Sequence, residues 1–216
     1  RTVLFVSHNM AAVKQLCSHA ISLKGGHIIA SGEPLQIIYD YLEGDSRSRL
    51  VAEWNKPADM PGDETFRISR IEICNQGNPG SNIRIDRPIE VSIYYRLIRP
   101  LNRSVTSIGA GLWLKTSDGV VILSSADTWN PSIHECLYSA GAKGEFISKC
   151  LMPANLLNDV SYSIDVLLVT NYANLNAIVH DAISFTAEER NRSPEYEGHM
   201  GPVMGLIRPS LKWTTR

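Results

Sequence analysis

The chain has 216 residues, enough for one or two domains, and 44% of them are hydrophobic. Its net charge of −1 at pH 7 removes the electrostatic case for a nucleic-acid or anionic-membrane partner. No apolar run approaches the ~20 residues of a membrane-spanning helix, and the cysteines Cys17, Cys74, Cys136 and Cys150 form no Cys-x-x-Cys pair that would suggest a metal or redox centre.

Residues 2–8 are a dense β-branched and aliphatic run ending in Ser7-His8, which reads as a central strand covered on both faces. Ligand chemistry in open α/β sheets gathers at such strand ends. A helix is expected from residue 10 to about 19, with Met10, Val13, Leu16, Cys17 and Ala20 at helical spacing. A hairpin follows, residues 20–24 and 27–32 around Gly25-Gly26, then a second helix over 35–42 behind Glu33-Pro34. An α/β domain does not begin on its last strand, so further strands are expected upstream of Arg1.

This segment closely resembles the end of an ABC-transporter nucleotide-binding domain: a strand ending in the switch histidine, a helix, a Leu-x-x-Gly-x-Ile-x-x-x-Gly hairpin, and a helix ending in Tyr. The resemblance implies that His8 is the switch histidine, placed to reach the γ-phosphate of ATP in an intact domain. ATP and magnesium are the cofactors it implies there. This chain carries no Gly-x-x-x-x-Gly-Lys-Ser/Thr loop, no Leu-Ser-Gly-Gly-Gln signature and no acidic magnesium-binding strand. It is therefore expected to bind no cofactor or metal and not to hydrolyse ATP by itself.

Composition changes after Leu42. Residues 45–63 are rich in small, polar and charged residues, with Pro57, Pro61 and Gly62, and read as a linker between the piece 1–44 and a domain over 64–216, with Trp54 packed on a domain surface. From about residue 64 the period is two. Strands are expected over 67–73, 88–96, 109–115, 120–124, 145–150, 162–169, 181–186 and 203–213, with Asp118-Gly119 as a hairpin turn. Short strands at this spacing without a long helix argue an antiparallel, immunoglobulin-like β-sandwich, preceded by the small α/β piece.

The run from Met152 to Ile164, the Asp118-Gly119 hairpin, the strand ending in Phe185 and the terminal strand closing on Trp213 resemble the C-terminal carbohydrate-binding domain of ATP-binding subunits of polysaccharide ABC exporters, the Wzt type that serves O-antigen. Ser161 stands where that family usually has Gly. The resemblance implies a polysaccharide ligand, a transmembrane permease partner and a homodimer paired or exchanged through residues 203–213. It also implies a place on the inner face of the bacterial inner membrane, on the cytoplasmic side.

Glycans offer hydroxyls and flat C–H faces, so an exposed aromatic plate beside hydrogen-bonding side chains is the feature to seek. Alternation turns Trp113 and Lys115 outward if Leu112 and Leu114 face the core, and likewise Tyr94 and Asp165 on their strands. Trp113 with Tyr94, Lys115 and Asp165 makes a sugar platform if their strands share a sheet, and Trp129 in the loop 127–131 is a second candidate. His180, His134 and His199 read as solvated or structural. Glu90 and Asp165 offer a carboxylate pair, but nothing in the sequence sets their separation. Three functions stay open: glycan recognition for export, ATP hydrolysis by a longer protein, and a scaffold that holds a dimer or the permease.

Overall fold

The computed structural model describes residues 3–7, 10–24, 26–44, 48–76, 78–79, 82–98, 107–129, 144–171, 174–190 and 203–209. His8 lies outside them. Its expected strand is not formed: residues 3–7 are irregular, with Val3, Leu4 and Val6 exposed. A central strand needs neighbours to satisfy its main-chain groups, and among the described residues the sheets contain no strand laddered with this segment.

The next elements follow the expectation. Helix α1 (Met10–Leu16) precedes a hairpin of β1 (Ala20–Lys24) and β2 (His27–Gly32), and helix α2 (Pro34–Gly44) follows. Gly26 turns the hairpin at φ 82°, a conformation that disfavours other residues. Glu33 caps α2 by accepting the Gln36 N–H on Oε2 at 3.3 Å, and Pro34 takes the first turn, where its missing N–H costs nothing.

Ten strands build the rest: β3 (Val51–Glu53), β4 (Phe66–Asn75), β5 (Asn78–Pro79), β6 (Ile83–Arg84), β7 (Ile89–Leu97), β8 (Ile108–Thr116), β9 (Val121–Ala126), β10 (Glu145–Met152), β11 (Ser161–Thr170) and β12 (Asn174–Glu188). They form two sheets. Sheet I runs β6-β12-β11-β8-β9 and sheet II runs β10-β7-β4-β3, with β5 beside β4. Every pairing is antiparallel except the two-residue contact of β6 with β12. The protein is thus mainly β, an antiparallel sandwich.

The inward rows are the ones the period-two pattern selects. Ile89, Val91, Ile93 and Tyr95 of β7 meet Leu112, Leu114, Ile164 and Val166 of sheet I in one buried cluster. Trp54 packs on that cluster partly buried, its N–H on the Ser69 carbonyl at 2.9 Å. Each fully buried Ile or Leu contributes on the order of 2 kcal/mol of transfer free energy.

Two expectations need correction. The strand expected over 181–186 begins at Asn174, because an irregularity in its middle hides the alternation. The strand expected over 203–213 is absent from its described part: residues 203–209 make one isolated bridge, Leu157 with Ile207, and the remainder lies outside the described residues. Two main-chain hydrogen bonds flank the bridge, the Arg208 N–H to the Leu156 carbonyl at 2.7 Å and the Asn158 N–H to the Leu206 carbonyl at 3.2 Å, and side chains add to them. The Tyr162 hydroxyl donates to the Leu206 carbonyl at 2.8 Å and accepts the Asn158 N–H at 3.0 Å. The Arg208 guanidinium, 2% exposed, reaches Glu189 at 2.6 Å, Asp159 at 3.1 Å and the Asn158 amide oxygen at 2.7 Å. A buried guanidinium tolerates its lost hydration only with carboxylate partners of this kind.

Candidate functional site

Trp113, Lys115 and Asp165 do share a sheet. Trp113 stands directly opposite Asp165 in the β8–β11 ladder and opposite Ser124 of β9. Lys115 lies two residues along β8, on the same outward row. Trp113 is half-buried and the Lys115 side chain is only 12% exposed, whereas their inward neighbours Leu112 and Leu114 are fully buried.

Asp165 points to the outer face but is not open to solvent; its side chain is 3% exposed. The cause is a bulge in β12. Ile183 pairs with Ile164 and Val179 with Val166, so His180, Asp181 and Ala182 together face the single residue Asp165. Asp181 takes φ 47°, a left-handed conformation that Asp tolerates better than most residues. The extra chain folds over Asp165, which accepts the Asp181 N–H on Oδ1 at 2.8 Å and His180 Nδ1 on Oδ2 at 3.0 Å. Lys115 Nζ completes the set, 2.5 Å from Asp165 Oδ1 and 2.9 Å from Asp181 Oδ1.

Burial alone would raise the Asp165 carboxyl, but the hydrogen bonds from Lys115, the Asp181 N–H and His180 outweigh it and hold the group below its usual range. Burial would lower Lys115, and its two aspartates hold it above the ordinary lysine value instead. The ammonium is thus ion-paired with two aspartates of its own chain. What remains for a ligand is the Trp113 face, the His180 ring and the Asp181 carboxylate, the last two largely exposed. Sequence reading set His180 aside; the signal for it was the polar His180-Asp181 step interrupting an alternating apolar strand.

Tyr94 does not join this group. It sits on β7, on the outer face of sheet II, with the whole core between it and Trp113. There its hydroxyl donates to Glu72 Oε1 at 2.6 Å, and Glu72 also takes the Arg70 guanidinium at 2.6 Å. The bond to Glu72 pushes the Tyr94 phenol above its ordinary value. Glu90 lies on that same strand, paired with Lys149 at 2.7 Å. It and Asp165 belong to opposite sheets and cannot act as a carboxylate pair.

Trp129 ends a 3-10 turn, Asp127–Trp129, directly after β9. Its side chain lies outside the described part of the chain. The turn packs on the near end of β8: Asp127 Oδ1 accepts the Ala110 N–H at 3.0 Å, and a Cβ on Gly109 would come within 1.9 Å of that oxygen. Asp127 Oδ2 accepts the Ser148 hydroxyl of β10, tying the edges of the two sheets.

Behind that tie is a cleft of ≈ 160 Å³, lined by Ile93, Leu112, Ser125, Asp127, Ser148 and Cys150 among others. It falls short of the ~300 Å³ at which small-molecule sites begin. Among the described residues, no group of three or more His, Cys, Asp or Glu is arranged to hold a metal ion, and no helix is long and apolar enough to cross a membrane.

No protein-family model matches the chain. A curated relative, ABC transporter protein AbcA of Aeromonas salmonicida, is 38% identical over 54 residues, which is 23% of this chain. The chain spans under a fifth of that protein, 18% of its length. Among solved structures, the C-terminal domain of Wzt superposes with TM-score 0.53 at 13% identity, covering 76% of this chain and 93% of that one. At that identity the likeness establishes the sandwich fold.

Proposed function

We propose that the chain recognises a polysaccharide for an ABC exporter, with the sandwich binding the lipid-linked glycan through the Trp113 face. The observation that carries the reading is the pairing of two parts. A sandwich shaped like the Wzt C-terminal domain stands behind a hairpin and helix that resemble the end of an ABC ATPase domain, and a local match to an ABC transporter protein agrees. Binding the finished glycan would let export wait for a completed chain.

On this reading residues 1–44 end the nucleotide-binding domain, 45–63 are the linker and 64–216 are the glycan domain. The protein would work in two copies on the cytoplasmic face of the membrane, beside a permease. The phosphate-binding loop, the signature and the acidic strand that would hold ATP and magnesium do not occur in this sequence, and nucleotide chemistry on this reading belongs to the longer protein. At the Trp113 face the indole would stack on a sugar's C–H face, while Asp181 and His180 would take its hydroxyls. Lys115 and Asp165 would fix the bulge that presents them.

The test is a titration of the chain with the surface polysaccharide of its source organism, followed by heteronuclear NMR. Shifts centred on Trp113, His180 and Asp181 are expected, and Trp113→Ala should remove them while leaving the rest of the spectrum in place. A folded protein that shows no shift with that glycan would leave the sandwich as a scaffold instead.

A further inference from the structure

The stretch read as a linker is fastened to the sandwich from Arg49 onward. Arg49 forms an antiparallel bridge with Ser184 of β12. Its N–H donates to the Ser184 hydroxyl oxygen at 3.3 Å, and its carbonyl accepts the Ser184 N–H at 3.2 Å. One residue on, the Leu50 carbonyl accepts the Ile73 N–H of β4 at 2.9 Å, and β3 then runs beside β4. The chain therefore crosses from the margin of sheet I to that of sheet II within a few residues.

Residues bridged in an antiparallel pair turn their side chains to the same face. Ser184 lies between buried Ile183 and Phe185 and so points outward, while Leu50 packs on the core. Arg49 is thus exposed on the outer face of sheet I, the face that carries Trp113. One row crosses the strands there: Arg49, Ser184, Ser163 and Lys115 stand opposite one another in turn. Its floor is low, because the two serines are small, and the His180-Asp181 bulge and Trp113 stand beside it. Lys115 is held by Asp165 and Asp181. Among the described residues, no carboxylate pairs with the Arg49 guanidinium. This face therefore presents an acceptor, Asp181, and a group of five donors, Arg49, with hydroxyls between them.

We infer that Arg49 is a further glycan-binding residue, and that the ligand is a run of several sugar units laid across the strands from Trp113, over Ser163 and Ser184, to Arg49. Lys115 and Arg49 are three strand spacings apart, about 14 Å, more than one sugar ring covers. A planar guanidinium offers paired donors, which suit neighbouring hydroxyls. The inference rests on the glycan reading above. It makes the joining segment itself a contact of the glycan, so that occupancy bears on that segment directly.

The NMR titration with the surface polysaccharide of the source organism tests it, extended to fragments of that polysaccharide from partial hydrolysis. The Arg49 Nε–H and the Ser163 and Ser184 amides should shift together with Trp113. Arg49→Ala should weaken the binding of fragments several units long by about tenfold or more and leave the binding of single sugar units unchanged. Arg49→Lys should recover part of the loss. Both substitutions keep the main-chain bridge to Ser184, and an unaltered amide spectrum without glycan checks the fold. Lys149→Ala removes a cation from the outer face of sheet II and should leave the affinity as it was. Shifts at Trp113 with Arg49 silent, an equal loss in the Arg49 and Lys149 variants, or a loss that ignores fragment length would each overturn the Arg49 contact and leave the glycan reading standing. No shift anywhere with the intact polysaccharide overturns both.

Discussion

Lys115 Nζ lies 2.5 Å from Asp165 Oδ1, and the two side chains are 12% and 3% exposed. This is a largely buried ion pair on what pattern alone would label an exposed face. Removing one partner of such a pair leaves the other charged and desolvated. Lys115→Met should therefore destabilise the sandwich by about 3 kcal/mol. Asp181→Asn removes only the charge of an exposed partner of the same lysine, keeps a residue type that tolerates φ 47°, and should cost under about 1 kcal/mol. Urea midpoints of the two variants measure the ordering; equal losses would mean that the bulge, and not the pair, carries the stability.

Acid should weaken the fold in the range set by depressed carboxyls. Asp165 is held below the ordinary aspartate value of 3.8, and so is Asp63, where burial is outweighed by the Phe66 N–H, the Asn176 amide and the Thr65 N–H. A group whose folded pKa is depressed stabilises above its unfolded value and loses that contribution as pH falls through the folded one. Stability should hold down to about pH 4 and drop below it. Asp165→Asn should show a shallower drop when thermal midpoints are followed through that range.

At the alkaline end two tyrosines act in the opposite sense. Burial pushes Tyr95 and Tyr162 from 10.0 up to about 12. Their contribution is complete below the ordinary phenol value and is lost as pH rises through the folded one. Two phenols should thus ionise late in an ultraviolet titration, in step with unfolding. Tyr162→Phe should remove one of them and cost about 1 kcal/mol through its lost hydrogen bonds.

The end of β8 is intolerant of size. Gly109→Ala would drive a methyl group to 1.9 Å from Asp127 Oδ1 and 2.6 Å from Thr128 Cγ2. Displacing that turn breaks the Asp127 link to Ser148, and a loss of about 2 kcal/mol is expected. The denaturation midpoint measures it, and Gly119→Ala is not a suitable control, because φ 85° strains it independently.

Much of the fold was legible because it rests on alternation: Ile89, Val91, Ile93 and Tyr95 declare their face in the sequence, and all are buried. What stayed hidden depends on sheet order. Nothing in the local pattern of residues 90–96 says that Tyr94 belongs to the sheet opposite Trp113, since both strands turn an aromatic outward with the same period. The bulge at His180-Asp181 was also obscured, because an extra residue resets the period two on which the reading depends. The apolar residues of 203–209 suggest a strand, yet the segment makes a single bridge with Leu157 and its neighbours and is fastened further by the Arg208 and Tyr162 side chains.

The Asp127 carboxylate has a further consequence. One of its oxygens takes the Ala110 N–H of sheet I and the other takes the Ser148 hydroxyl of sheet II, so a single side chain latches the two layers together along this margin. Any sliding of one sheet over the other there has to undo that latch first.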